Sequence, residues 1–222
     1  MDGSCLGMGQ SDLGRRNTAI ELERLLKKRR DYPEYVTSVD AEIKDQFMET
    51  YAVLILDMSG FSRLVEEFFI IHTLTQIQQM REIMVPLVER YQGTVIKLEA
   101  DNVYAVFPGV DQAVVGAIAM LQQLAEQKIH ASIGIGYGEL IMIANEGGYC
   151  DAFGNQMNLA SKLGEDLAQA DEILMTEAAF QAQQNPSEDW QIQEMAISGL
   201  KLQVYRQQVR TAVLSMESVS VA

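Results

Sequence analysis

The chain has 222 residues, of which 48% are hydrophobic and 22% are charged, as is typical of one soluble globular domain with a short appendage. This composition excludes an intrinsically disordered or fibrous chain, and no run of about 18 apolar residues predicts a transmembrane helix. The 17 basic and 31 acidic residues give a net charge of −14. Such a surface repels phosphate backbones, which argues against nucleic-acid binding, but it does not repel divalent cations.

The first residues and the cysteine content predict a cytoplasmic protein. Residues 1–16 lack the charged start and apolar core of a secretory signal, and their Gly- and Ser-rich, aperiodic sequence predicts disorder. Cys5 and Cys150 are too few for a disulfide framework and lack the spacing of a metal site. We therefore expect a reducing compartment.

Residues 17–50 are predicted to form an N-terminal helical segment. A helix should begin near Thr18, because Thr18 and Glu21 form the T-x-x-E pattern of a capping box, and it should end before Pro33. The basic run over 27–30 is interpreted as cations that complement the helix dipole, with a membrane surface or an acidic partner as the alternative.

The pattern changes at residue 51, where the apolar run Y-A-V-L-I-L predicts a strand buried on both faces and ending at Asp57. Residues 62–91 have helical spacing and are predicted to form two helices, with Pro86 as a kink or boundary. A strand pair is expected around Tyr137 and Gly138. The predicted elements after residue 91 are strands over 94–98 and 103–107, a helix over 110–127, strands over 131–136 and 139–144, a helix over 155–169, a strand over 173–175, a helix over 176–184, and strands over 190–194 and 200–206.

This order begins as the β-α-β-β-α-β unit of a ferredoxin-like fold and continues with further strands and helices. We therefore predict an α+β domain over 51–207, followed by a tail over 208–222.

Two aspartates stand where this topology brings strands together. Asp57 ends the first predicted strand and Asp101 lies in the turn before the third, and a β-α-β-β unit places the first and third strands side by side. Such a carboxylate pair suits hard divalent cations that also bind substrate phosphates. A helix start follows Asp57, and its free N–H groups suit phosphate. The structural alternative makes Asp57 a helix cap and Asp101 a turn residue.

Further polar residues outline a nucleotide site around this pair. Lys97 lies in an otherwise apolar strand, and Asp151, Asn158 and Lys162 follow at the start of a later helix. Asn158 and Lys162 share one helix face, because they are four residues apart.

Four motifs in one order carry a family resemblance: D-M-S-G-F-S (57–62), I-K-L-E-A-D (96–101), S-I-G-I-G-Y-G (132–138) and D-A-F-G-N-Q-M-N-L-A-S-K (151–162). Together they resemble the class III adenylyl/guanylyl cyclase catalytic domain over about residues 51–207. The resemblance implies a head-to-tail homodimer with ATP sites at its interface, and hence an inactive monomer. The N-terminal helix is then expected to pack on the dimer or to bind a regulatory partner.

The resemblance also implies a role for each matching residue. Asp57 and Asp101 match the aspartates that bind two divalent cations, Mg²⁺ or Mn²⁺, and Met58 would add its backbone carbonyl. Gly60, Phe61 and Ser62 match the turn over the substrate phosphates.

The remaining matches concern the base, the ribose and the transition state. Lys97 and Asp151 match the pair that recognises adenine, where guanylyl cyclases typically carry Glu and Cys, so the resemblance implies ATP as substrate. Asn158 matches the asparagine that orients the ribose. Lys162 stands at the family's transition-state arginine and lacks the planar fork of a guanidinium. Ser198 stands where many members carry a phosphate-binding lysine before Gly199.

Three functions follow as hypotheses. The first is an adenylyl cyclase that joins the ribose 3′-oxygen to the α-phosphorus and expels pyrophosphate. The second is a cyclase-homology module that binds nucleotide or dimerises with little turnover, which Lys162 and Ser198 favour. The third is a phosphoacceptor receiver domain built on Asp57, although its expected paired acidic residues and later lysine are not apparent in the sequence.

Overall fold

The computed structural model describes residues 17–197 and 199–209, apart from the side chains of residues 62–64, 197 and 200. The predictions for residues 1–16, for Ser198 and for the tail after residue 209 therefore lie outside the described residues. In chain order the elements are α1 (Ala19–Asp31), a 3-10 turn (Pro33–Tyr35), α2 (Val36–Phe47), β1 (Met48–Met58), α3 (Phe61–Arg90), β2 (Thr94–Glu99), β3 (Asn102–Phe107), α4 (Val110–Glu126), β4 (Ala131–Asn145), β5 (Gly148–Phe153), α5 (Asn155–Ser161), a π-helical turn (Lys162–Leu167), β6 (Glu172–Thr176), α6 (Glu177–Ala182), β7 (Gln191–Ile197) and β8 (Leu200–Gln208).

The strands form one sheet in the order β2-β3-β1-β4-β6-β8-β7, with β5 paired to β4. The first four strands have the antiparallel order of a ferredoxin-like β-α-β-β-α-β unit, which confirms the predicted fold class. Strand β6 then pairs parallel to β4, and β8 and β7 extend the sheet by antiparallel pairing. Strand β1 lies at the centre of the ferredoxin unit.

Both faces of β1 are covered, as its continuous apolar run predicts. Leu54 and Leu56 belong to the main core, together with side chains of α3 and α4. Val53 and Ile55 belong to a second cluster, on the face covered by α5. Because side chains alternate along a strand, Asp57 lies on the same face as Val53 and Ile55.

The predicted turn at Tyr137 and Gly138 is wrong. Strand β4 runs without interruption and pairs with all of β1, so that Gly138 lies opposite Tyr51. The second strand pair forms instead between β4 and β5. Glycines in β4 serve close packing, because a Cβ added at Gly136 would lie 2.6 Å from the carbonyl oxygen of Gln156 in α5.

A helix boundary at Pro86 is also wrong, because the helix continues through the proline, and the two predicted helical segments meet at Phe69 instead. Met84, Leu87 and Val88 are buried around it, and their packing on the sheet holds the helix there. The non-helical residue is Phe69, with φ 64° and ψ 162°. The helix predicted over 155–169 likewise divides into α5 and the π-helical turn.

The N-terminal helices pack on β4. Thr18 caps α1 as predicted, since its hydroxyl accepts a hydrogen bond from the Glu21 N–H at 3.3 Å. Leu25 of α1 is buried with Phe47 of α2, and Ile141 of β4 packs against them.

The basic run of α1 contacts acidic residues within the chain. Arg29 pairs with Asp40, and Lys28 lies 4.0 Å from Glu42. These contacts favour the structural interpretation of the run, and a regulatory partner at this helix stays a prediction. Within the described ranges, no helix has the length and apolar character needed to span a membrane.

Replacing Leu25 with alanine should destabilise the protein by about 3 kcal/mol, because Leu25 is fully buried between the N-terminal helices and the sheet. Its neighbour Leu26 is 49% exposed, so Leu26→Ala should change stability by less than about 0.5 kcal/mol. Urea unfolding of both variants measures the difference. Equal losses would contradict the described packing of α1.

Candidate active site

The structure places Asp57 and Asp101 next to each other at one end of the sheet. Asp57 pairs in register with Asn102 across β1 and β3. The Met58 N–H donates to the carbonyl of Asp101 at 3.3 Å. The strand pairing predicted from the topology therefore holds, and it brings the two aspartates together on adjacent chain segments.

Negative charge is concentrated around this pair. Burial raises the pKa of Asp57 to about 7, and the charges of Asp101, Glu165 and Asp166 add to the effect. Burial also raises the pKa of Asp101, with a further contribution from Glu165. Asp57 and Asp101 are half-buried and form no ion pair with any side chain that the structure describes. Two such carboxylates suit divalent cations, which bind hard oxygen donors.

The turn after Asp57 prepares the start of α3. The Ser59 N–H donates to the carbonyl of His130 at 2.9 Å. Gly60 then adopts the left-handed conformation, with φ 83°, and is the N-cap residue of α3, where it has no side chain to cap the helix. The structural alternative, which makes Asp57 the helix cap, is therefore wrong in position. Phe61 packs against the main core, and the side chain of Ser62 lies outside the described residues.

Lys97 and Asp151 form the second predicted group, and the structure brings them together. The Lys97 Nζ lies 4.0 Å from the Asp151 Oδ1 across β2 and β5. It also lies 3.0 Å from the Glu99 Oε2 and 4.8 Å from the centre of the Tyr104 ring. Glu99 shares the face of Lys97 because the two residues are two positions apart in a strand.

Helix α5 positions Asn158 and Lys162. The Lys162 N–H donates to the carbonyl of Asn158, so the two residues are one turn apart as predicted, and Lys162 begins the π-helical turn. Among the described residues, neither side chain forms a hydrogen bond or ion pair with Lys97, Asp151 or the two aspartates.

Three residues on this face were not predicted from the sequence. The Tyr104 hydroxyl donates to the Glu165 Oε1 at 3.0 Å, and the Ser161 hydroxyl donates to the same oxygen at 2.7 Å. Tyr104 could have been noticed in the sequence, because it is a polar residue within an apolar strand, two residues after Asn102. Glu165 could not have been paired with it from the sequence, because Tyr104 and Glu165 are 61 residues apart in the chain.

Residues 43–215 match the family model of the adenylate and guanylate cyclase catalytic domain. The match covers most of the chain, and the ferredoxin-like sheet agrees with it. The protein therefore belongs to this family of nucleotide cyclase domains.

Solved structures of the same fold include both kinds of cyclase. The adenylyl cyclase CyaB from P. aeruginosa is 22% identical, with a TM-score of 0.60 over 72% of this chain and 93% of that chain. The adenylate/guanylate cyclase/hydrolase from Silicibacter pomeroyi is 22% identical, with a TM-score of 0.62 over 72% and 96%. The guanylate cyclase domain of RhGC from Catenaria anguillulae, in complex with GTP, is 16% identical, with a TM-score of 0.61 over 73% and 98%. Comparison with curated proteins gives no match.

Replacing Asp57 with asparagine should stabilise the protein in metal-free buffer at about pH 8, by about 1 to 2 kcal/mol after allowance for solvent screening. The pKa of Asp57 in the folded state lies above its ordinary value of 3.8, so the folded protein holds the Asp57 proton more tightly than the unfolded chain does. The resulting stabilisation of the folded state is fully present below about pH 4 and is lost as pH rises to about 7. The advantage of asparagine should therefore shrink as pH falls from about 7 to about 5.

Urea unfolding in the presence of a chelator measures this effect. Asp45→Asn, at an exposed position of α2, is the matched control and should show little change at either pH. An Asp57→Asn protein that is no more stable than the parent at about pH 8 would contradict the described burial of Asp57 beside other carboxylates.

Proposed function

We propose that the protein is an adenylyl cyclase, which converts ATP into cyclic AMP and pyrophosphate as a head-to-tail homodimer. The observation that carries the proposal is the contact between Lys97 and Asp151, whose charged groups are 4.0 Å apart. An ammonium donor beside a carboxylate acceptor complements the adenine edge, which presents a ring-nitrogen acceptor beside an amino donor. The neighbours of similar fold include both adenylyl and guanylyl cyclases, so the choice of ATP rests on this pair.

The carboxylates of Asp57 and Asp101, with the backbone carbonyl of Met58, would hold two divalent cations, Mg²⁺ or Mn²⁺. When bound, such cations acidify the 3′-hydroxyl and neutralise the charge of the triphosphate and the leaving pyrophosphate. The raised pKa of Asp57 supports this assignment, since burial raises it and the negative charges of Asp101, Glu165 and Asp166 add to the effect.

The chain's own residues bind and orient the rest of the nucleotide. The uncapped start of α3 at Gly60, Phe61 and Ser62 offers backbone N–H groups to the phosphates. Asn158 orients the ribose, so that the 3′-oxygen faces the α-phosphorus. The 3′-oxygen bonds to that phosphorus as the bond to the pyrophosphate oxygen breaks. Lys162 stabilises the negative charge that grows on the α-phosphate.

Each site is shared between two subunits in this proposal. One subunit supplies Asp57 and Asp101, and its partner supplies the residues for the base, the ribose and the transition state. The family acts through dimers, and this arrangement makes an isolated subunit inactive.

A cyclase-homology module that binds nucleotide with little turnover is the second candidate. Lys162 favours it, because lysine keeps the charge of the family's arginine but loses the bidentate fork that matches phosphate oxygens.

Turnover of Mn-ATP and of Mn-GTP, measured separately with purified protein, tests the proposal. We expect cyclic AMP as the main product and its loss in Asp57→Ala, because that variant lacks a cation ligand. Asp45→Ala, at an exposed position of α2, is the control and should keep full activity. Cyclic GMP as the main product would overturn the assignment of the base. Nucleotide binding without product would favour the homology module.

A further inference from the structure

We propose that Tyr104 and Glu165 form a strut that positions Lys162 for catalysis. This inference rests on the proposed cyclase activity and adds two positioning residues to it. The strut is the hydrogen bond from the Tyr104 hydroxyl to the Glu165 carboxylate, at 3.0 Å. It joins strand β3 to the π-helical turn that Lys162 begins.

The carboxylate of Glu165 accepts two hydrogen bonds, one from the sheet and one from the end of α5. Tyr104 donates from the sheet, and Ser161, directly before Lys162, donates to the same oxygen at 2.7 Å. Burial raises the pKa of Tyr104 to about 12, so the hydroxyl keeps its proton and donates it. Hydrogen bonds to a charged carboxylate are stronger than those between neutral groups.

The π-helical turn is fixed to the sheet at other points as well. The Ser132 hydroxyl of β4 donates to the carbonyl of Gly164 at 2.9 Å. A Cβ at Gly164 would lie 2.8 Å from the carbonyl oxygen of Ile55, so this backbone packs directly on β1. π-Helical turns are rare and occur frequently at functional sites. The hydrogen bond from Tyr104 therefore adds a contact with β3 to the contacts that fix the π-helical turn, which Lys162 begins, on β1 and β4.

Tyr104 also connects the residue proposed to recognise the base, Lys97, with the turn that carries Lys162. Its ring lies 4.8 Å from the Lys97 Nζ, and Lys97 and Tyr104 are paired in register across β2 and β3. One side chain thus contacts the base-recognition lysine through its ring and the turn of Lys162 through its hydroxyl.

Positioning matters more for lysine than for arginine at this place. A lysine side chain is flexible and offers a point charge, whereas a guanidinium fork fixes its own orientation on phosphate oxygens. Holding the backbone of Lys162 rigid removes one source of misplacement, and small misplacements of a catalytic group reduce rates up to about 100-fold.

The test is Tyr104→Phe, which removes the hydroxyl and keeps the ring beside Lys97. We expect kcat for cyclic AMP formation to fall about 10-fold, with less than a twofold change in KM for Mn-ATP. Tyr51→Phe is the matched control, because the Tyr51 hydroxyl also donates to a glutamate, Glu49, at 3.0 Å. That control should change kcat less than twofold, and thermal unfolding checks that both variants are folded.

A double-mutant cycle with Glu165→Ala separates the strut from other roles. If the hydroxyl acts through Glu165, adding Tyr104→Phe to Glu165→Ala should change kcat less than twofold. Lys162→Ala should lower kcat at least as much as Tyr104→Phe.

Several results would overturn the strut in an active enzyme. These are a Tyr104→Phe kcat like that of the control, multiplicative losses in the cycle, a change confined to KM, or full activity in Lys162→Ala. A parent protein that forms no cyclic nucleotide from Mn-ATP or Mn-GTP would instead overturn the proposed function, and the strut with it.

Discussion

The candidate site depends on the direct packing of the α5 backbone and the π-helical turn against the sheet. A Cβ added at Gly134 of β4 would overlap the carbonyl oxygen of Ala160, and one at Gly164 would lie 2.9 Å from the Gly134 N. No other residue fits these contacts without movement of the backbone. The glycines therefore set the distance at which Asn158 and Lys162 stand above the sheet.

Charge is the second constraint, and it acts against stability. Burial at the end of β1 raises the pKa of Asp57 to about 7, and the charges of Asp101, Glu165 and Asp166 add to the effect. A protein selected for stability alone gains nothing from this arrangement, because the folded state favours the neutral acid. The same arrangement suits a site that operates with divalent cations and a polyphosphate substrate.

The sequence predicts the features that follow from local pattern and simple topology. The apolar run before Asp57 identifies β1, and the β-α-β-β rule places Asp101 beside Asp57. The contact between Lys97 and Asp151 could be predicted only from the family resemblance. The two residues lie in β2 and β5, and no local sequence pattern indicates that these strands are close together. Gly138 looks like a turn residue in the sequence, but it lies within β4 with a φ of 154°, a conformation that favours glycine. Nothing in the local sequence marks Phe69 as a residue with positive φ.

Complementation between two inactive variants tests the shared site most directly. Asp57→Ala lacks the cation half of a site, and Lys97→Ala lacks the base half. After subunit exchange in an equimolar mixture, half of the dimers are mixed, and each mixed head-to-tail dimer has one intact site of two. The account predicts recovery of about one quarter of the parent activity. A mixture as inactive as its two components, although dimers form, would contradict it.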